Sequence, residues 1–170
     1  MLEQKDINKI KEVVEEFFEK MTIVSPIIEA SLSSVKPTDE QDSIKERPEG
    51  HPDIVNLDIK LDEPQILIGQ QGQTLFEIQR LLRMVLNRKL QKVFYLNLDI
   101  NDYKNKKIEY LKYLAKELAD QVALTKEEKV LLPMSAYERR IIHAELSQRT
   151  DVITESQGDG FERHIVINPK

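Results

Sequence analysis

A chain of 170 residues is long enough for one ordinary domain or two small ones, and its lack of cysteine excludes disulfide staples and thiolate metal sites. No run of about eighteen apolar residues and no basic start followed by an apolar stretch points to a membrane span or a secretion signal, so a cytoplasmic location is expected. The formal net charge of −5 is segregated: nine acidic and four basic residues between Lys36 and Glu63 account for it, whereas residues 65–92 set Arg80, Arg83, Arg88, Lys89 and Lys92 against Glu77 alone.

Ile7, Ile10, Val13, Val14, Phe17, Phe18 and Met21 recur at spacings of three and four, which predicts an amphipathic first helix. Two strands follow, at residues 27–32 and 54–61, the second alternating Val55, Leu57, Ile59 and Leu61 with polar residues. Between them, residues 36–52 are rich in charge and proline and are expected to form a long, flexible acidic loop. A short apolar segment at 64–67 leads to Gly69-Gln70-Gln71-Gly72, after which Leu75, Ile78, Leu81, Leu82, Val85 and Leu86 mark another helix. Residues 93–100 alternate as a strand. A long helix is expected at about 102–123, with Asn101 or Asp102 as its N-cap. After the short apolar stretch 130–132, Ser135 and Glu138 have capping-box spacing ahead of a helix bearing Ile141, Ile142 and Leu146. The tail, 152–167, reads as a hairpin around Gly158-Asp159-Gly160.

Two elements carry candidate chemistry. Glycine lets a ligand backbone approach closely, and the amides opening the helix after Gly72 suit a phosphate. The tetrapeptide by itself is more readily read as a helix C-cap followed by a turn. Arg139 and His143 lie four apart, hence on one helix face, and combine a guanidinium fork with a titratable imidazole. That pair alone also fits an ordinary exposed helix. The three histidines, His51, His143 and His164, stand in unrelated contexts without metal-ligand spacing, and there is no P-loop. Neither an enzyme nor a metal or cofactor is expected.

The predicted order of helix, two strands, short helix, glycine loop, helix and strand, with Leu67 to Leu75 around the loop, resembles a type II KH domain (α-β-β-α-α-β). Met134 to His143, Ser156-Gln157-Gly158 and Arg163 to Ile167 resemble the R-three-H (Arg-x-x-x-His) domain, and the succession resembles the bacterial Jag family, also called KhpB or EloR. The resemblance implies an α+β chain with a KH domain at 1–100 and a small α/β R-three-H domain at 101–170. Members often carry a further N-terminal domain, whereas this chain is expected to open at its first KH helix. The implied ligand is single-stranded RNA, with single-stranded DNA left open, and the implied protein partner is a small KH-domain chain or a second copy. The implied role touches cell elongation and envelope synthesis. The implied contacts are Gly69, Gln70, Gln71, Gly72 and Arg80 in the first domain and Arg139, Arg140, His143 and Arg163 in the second. KH loops usually place Lys or Arg between the glycines, and here both positions are Gln. Arg83 and Lys92 are further groove or solvent candidates, and Tyr103, Tyr110 and Tyr137 are stacking or packing candidates. The rival reading is a protein-interaction adaptor whose loop has lost its RNA role.

Overall fold

A computed structural model describes residues 2–23, 26–33 and 53–170. The acidic loop expected at 36–52, and His51 within it, lie outside the described residues. The fold is mixed α/β, and the chain divides into two compact units that part after Lys104.

In the first unit, helix α1 (Gln4–Lys20) buries Ile7, Ile10, Val13, Val14 and Phe18 along one stripe. Met21 was expected on that stripe, but the helix ends at Lys20, Thr22 turns to φ 61°, and Met21 is left exposed. Strands β1 (Ile27–Ser33) and β2 (Ile54–Lys60) pair antiparallel, and β2 pairs in parallel with β3 (Tyr95–Ile100). Residues opposed across the ladders share a face, so Val55, Leu57, Ile59, Leu96, Leu98 and Ile100 all turn to one side. Helices α1 and α3 (Gln73–Leu90) cover that side with Ile10, Phe18, Leu75, Ile78, Leu82 and Leu86. A four-residue helix, α2 (Gln65–Ile68), delivers the chain to the glycine loop.

The second unit holds most of α4 (Tyr103–Thr125), then β4 (Lys129–Val130), α5 (Ala136–Leu146), β5 (Val152–Gln157) and β6 (His164–Pro169). Its antiparallel sheet runs β4-β6-β5. Leu111, Ala115, Ala119 and Val122 of α4 and Ile142 and Leu146 of α5 close over Val152, Ile165 and Ile167. Among the described residues no helix is long and apolar enough to cross a membrane.

The two residues expected to cap α4 stand immediately before it, in an unusual backbone. Asn101 and Asp102 have φ 52° and 57°, away from the extended backbone of an N-cap. Asp99, at the end of β3, accepts from the Lys104 N–H in the first turn at 3.3 Å. Asn101 spends its amide on the end of β2, accepting from the Leu61 N–H at 2.9 Å and donating to the Leu61 carbonyl at 2.6 Å. Asn101→Ala would strip both partners from a half-buried backbone group and place alanine at positive φ. A urea unfolding curve of the first unit's signals should show a loss of about 1–3 kcal/mol.

Candidate functional site

The glycine loop grows out of the failure of α2 to continue. Gly69 donates its N–H to the Gln65 carbonyl at 2.9 Å, then takes φ 69°, ψ −173°, a region essentially restricted to glycine. Gln70 and Gln71 form a single exposed turn, with Gln71 at φ 53°, and Gly72 at φ 87° admits the chain to α3. The room beside both glycines is already occupied by the protein itself. A Cβ on Gly69 would collide with the Thr74 side chain, and one on Gly72 would stand 2.8 Å from Tyr103 Cε1. Glycine is therefore required here by internal packing, whatever the loop binds. Among the described residues no side chain caps α3, so the positive end of an 18-residue helix opens at the loop.

The basic residues expected to assist this loop are differently employed. Arg80 is exposed, with its guanidinium 5.9 Å from the Phe76 ring centroid and 3.3 Å from a Glu77 carboxylate oxygen. Lys92 is committed to Asp6, 2.7 Å away, tying the stretch after α3 to the start of α1. This hydrogen bond is the main cause of the lowered Asp6 pKa. Arg83 is half-buried on α3. Tyr103 packs on Gly72, Tyr110 stands exposed on α4, and Tyr137 is half-buried on α5.

In the second unit, the capping box sets the start of α5. Ser135 accepts from the Glu138 N–H, and Glu138 accepts from the Ser135 N–H at 2.8 Å. One turn on, Arg139 and His143 lie along the flank of α5 that meets β5. Arg139 Nη1 donates to Ser156 Oγ at 3.1 Å, and His143 Nε2 lies 3.0 Å from the same oxygen. His143 Nδ1 is 2.7 Å from Thr154 Oγ1. Either neutral tautomer satisfies this arrangement, because each hydroxyl can donate or accept. Burial, then the neighbouring Arg139 charge, pushes the His143 pKa below its usual value. The pair thus presents a fixed guanidinium beside a neutral imidazole. Arg139 Nε is buried and has no hydrogen-bond partner among the described residues, an unspent donor.

Arg140 is exposed, with its Nε returning to the Ala136 carbonyl at 3.4 Å. Arg163 is exposed in the β5–β6 connection, and its carbonyl accepts from the Met134 N–H at 3.1 Å. Thr154 was not singled out in the sequence, and Ser156 belongs to a segment that resembles the R-three-H domain but was not expected as a contact. Their signal was present in the alternation of β5, which puts them on the same face as the buried Val152. His164 faces elsewhere and donates from Nδ1 to the Glu162 carbonyl at 2.8 Å. Among the described residues no group of three His, Asp or Glu is placed to hold a metal ion.

Comparison with known proteins places residues 109–169 under the family model of the R-three-H domain. The chain is 40% identical over 116 residues to "RNA-binding protein KhpB" of Clostridium symbiosum, a match covering 68% of this chain and 52% of that protein. It is 39% identical over 118 residues to the protein of the same name from Bacillus subtilis, covering 68% and 57%. The Streptococcus pneumoniae protein of that name is 33% identical over 114 residues, covering 67% and 35%. Each match is longer than the second unit, so the likeness extends into the first. The chain spans about half the length of the first two relatives.

Two outcomes follow from this geometry. In an NMR titration of the free protein, the His143 ring signals should show a midpoint below about 6.5, moving up but not fully recovering in Arg139→Ala, because burial remains. The lowered value means that the His143 contribution to the folded state is fully present above about pH 6.5 and is lost as the pH falls from there through the lower folded-state pKa. Gly72→Ala should destabilise the first unit by about 1–2 kcal/mol from backbone conformation alone, read by thermal melting. Combining it with Tyr103→Ala should relieve the steric part only.

Proposed function

The chain belongs to the bacterial Jag (KhpB) family, and from that premise we propose that it binds single-stranded RNA, gripping phosphate with Arg139 and His143 of an R-three-H unit. The observation that carries this reading is the shared hydroxyl of Ser156, which sets both side chains beside one another. A guanidinium offers phosphate two parallel donors, and the Ser156 contact engages only one of the Arg139 nitrogens. A phosphate also favours protonation of His143, which would strengthen the grip as the pH falls.

The first unit is read as a type II KH domain. Its support is the order α1-β1-β2-α2-α3-β3, with a Gly-x-x-Gly turn between α2 and an uncapped α3. In this reading Gly69, Gln70, Gln71 and Gly72 clamp a strand of about four nucleotides, as KH loops do. With glutamine at both central positions, the clamp works through dipoles and hydrogen bonds, and Arg80 is the nearest cation in sequence within α3. Arg140 and Arg163 add exposed charge around the R-three-H contact. Family membership extends the proposal to a cytoplasmic, non-enzymatic role in post-transcriptional control of cell elongation and envelope synthesis. It also extends to pairing with a small KH-domain protein or a second copy.

Fluorescence anisotropy with short single-stranded RNAs tests the binding. Affinity should fall steeply with salt, and Arg139→Ala should reduce the slope of log affinity against log salt by about one. Gln70→Asp with Gln71→Asp should weaken binding further by adding charge repulsion at the loop. Salt-insensitive binding, or binding untouched by all three substitutions, would overturn the reading and leave a protein adaptor in its place.

A further inference from the structure

Phe161 stands apart from the other phenylalanines. Phe18 and Phe94 are buried and Phe17 and Phe76 are half-buried, whereas Phe161 is 100% exposed. Its position is not a frayed end. It sits in a short helical turn, Gly160–Glu162, inside the β5–β6 connection. The Glu162 N–H donates to the Asp159 carbonyl at 3.1 Å, and His164 Nδ1 donates to the Glu162 carbonyl at 2.8 Å. The Arg163 carbonyl is held by the Met134 N–H at 3.1 Å, immediately before the Ser135 cap of α5. The backbone on both sides of the phenyl ring is therefore fixed, and the ring is displayed from a folded loop.

That loop begins where the Arg139–His143 site ends. The last rung of the β5–β6 ladder is Gln157 with His164, and the preceding rung is Ser156 with Ile165. Ser156 is the hydroxyl that holds Arg139 and His143, so the loop opens two residues, roughly 7 Å of strand, beyond it. Asp159 and Glu162 flank the ring in sequence and repel phosphate. An anionic backbone held at Arg139 and His143 would meet this loop with a base. An exposed phenyl face suits any base, since every base presents a π-face.

We propose that Phe161 is a base-stacking residue, carrying the nucleobase next to the phosphate held by Arg139 and His143. This rests on the RNA-binding reading above and adds the contact with the base that the Arg–His pair does not supply.

The full 170-residue chain, which has no tryptophan, provides the test. Phe161→Trp introduces a single indole whose emission should be quenched by a single-stranded RNA 12-mer. An abasic sugar–phosphate strand of equal charge should leave it unquenched. Phe161→Ala should weaken RNA binding by about tenfold, within the range for one stacked base, while Phe161→Tyr retains it. The alanine variant should keep the wild-type melting temperature, because the ring buries nothing, and the wild-type salt slope, because no charge is lost. Wild-type affinity in Phe161→Ala, with Arg139→Ala still impaired, would overturn the stacking role and leave RNA binding intact. Equal quenching by the abasic strand would also overturn it. Loss of a co-purifying protein from Phe161→Ala, with RNA affinity unchanged, would reassign the ring to a protein interface. Absence of RNA binding by the wild-type chain would instead remove the underlying reading and this proposal with it.

Discussion

Thr154 and Ser156 point toward α5 from the same side of β5 as the buried Val152, and the second unit depends on how their hydroxyls are satisfied. A hydroxyl turned toward a packed helix costs free energy unless it finds a partner. Here the partners are the two residues with candidate chemistry, so one set of hydrogen bonds completes the fold and orients the site. The same contacts fix what the site can offer. Arg139 arrives with Nη1 engaged and Nε unspent, and His143 arrives neutral because burial and the adjacent guanidinium both oppose its charging.

The glycine loop obeys a different logic. Its glycines answer to Thr74 and Tyr103, side chains that fill the space where a Cβ would stand. Close approach by a ligand is not needed to explain them. What remains for binding is the exposed Gln70–Gln71 turn and the uncapped start of α3, an arrangement of dipoles without formal charge. A phosphate contact built this way gains from short-range geometry more than from long-range attraction. The guanidinium of Arg139 supplies the opposite balance.

Charge counted along the chain gives a misleading inventory of binding groups. The stretch from 65 to 92 is basic in sequence, but Lys92 is absorbed by Asp6, Lys89 pairs with Glu16, and Arg80 lies against Phe76 and Glu77. The pull of Lys20 and Lys89 holds the Glu16 pKa at about 2. Cations used to join α1 to the region of α3 serve the fold first, and only those left unmatched are available to a polyanion.

Periodicity marked the longer helices and strands, because a helix or strand that must bury one face repeats its apolar residues at 3.6 or 2. The α1 stripe, the alternation of β2 and β3 and the Ser135–Glu138 capping box all depend on neighbours within a few residues, so they are legible in the sequence. The pairing of Arg139 with His143 on one face is legible for the same reason. Contacts between distant residues are not. Asp99 reaches forward to the Lys104 N–H while Asn101 reaches back to Leu61, forty positions away, and Gly72 is explained by Tyr103. The hydroxyls that seat Arg139 and His143 lie on another element, 11 to 17 residues further along. Exposure is decided at the same level. The alternation of residues 93–100 already turns Phe94 inward, but only the way the chain packs around the β5–β6 connection leaves Phe161 wholly in water.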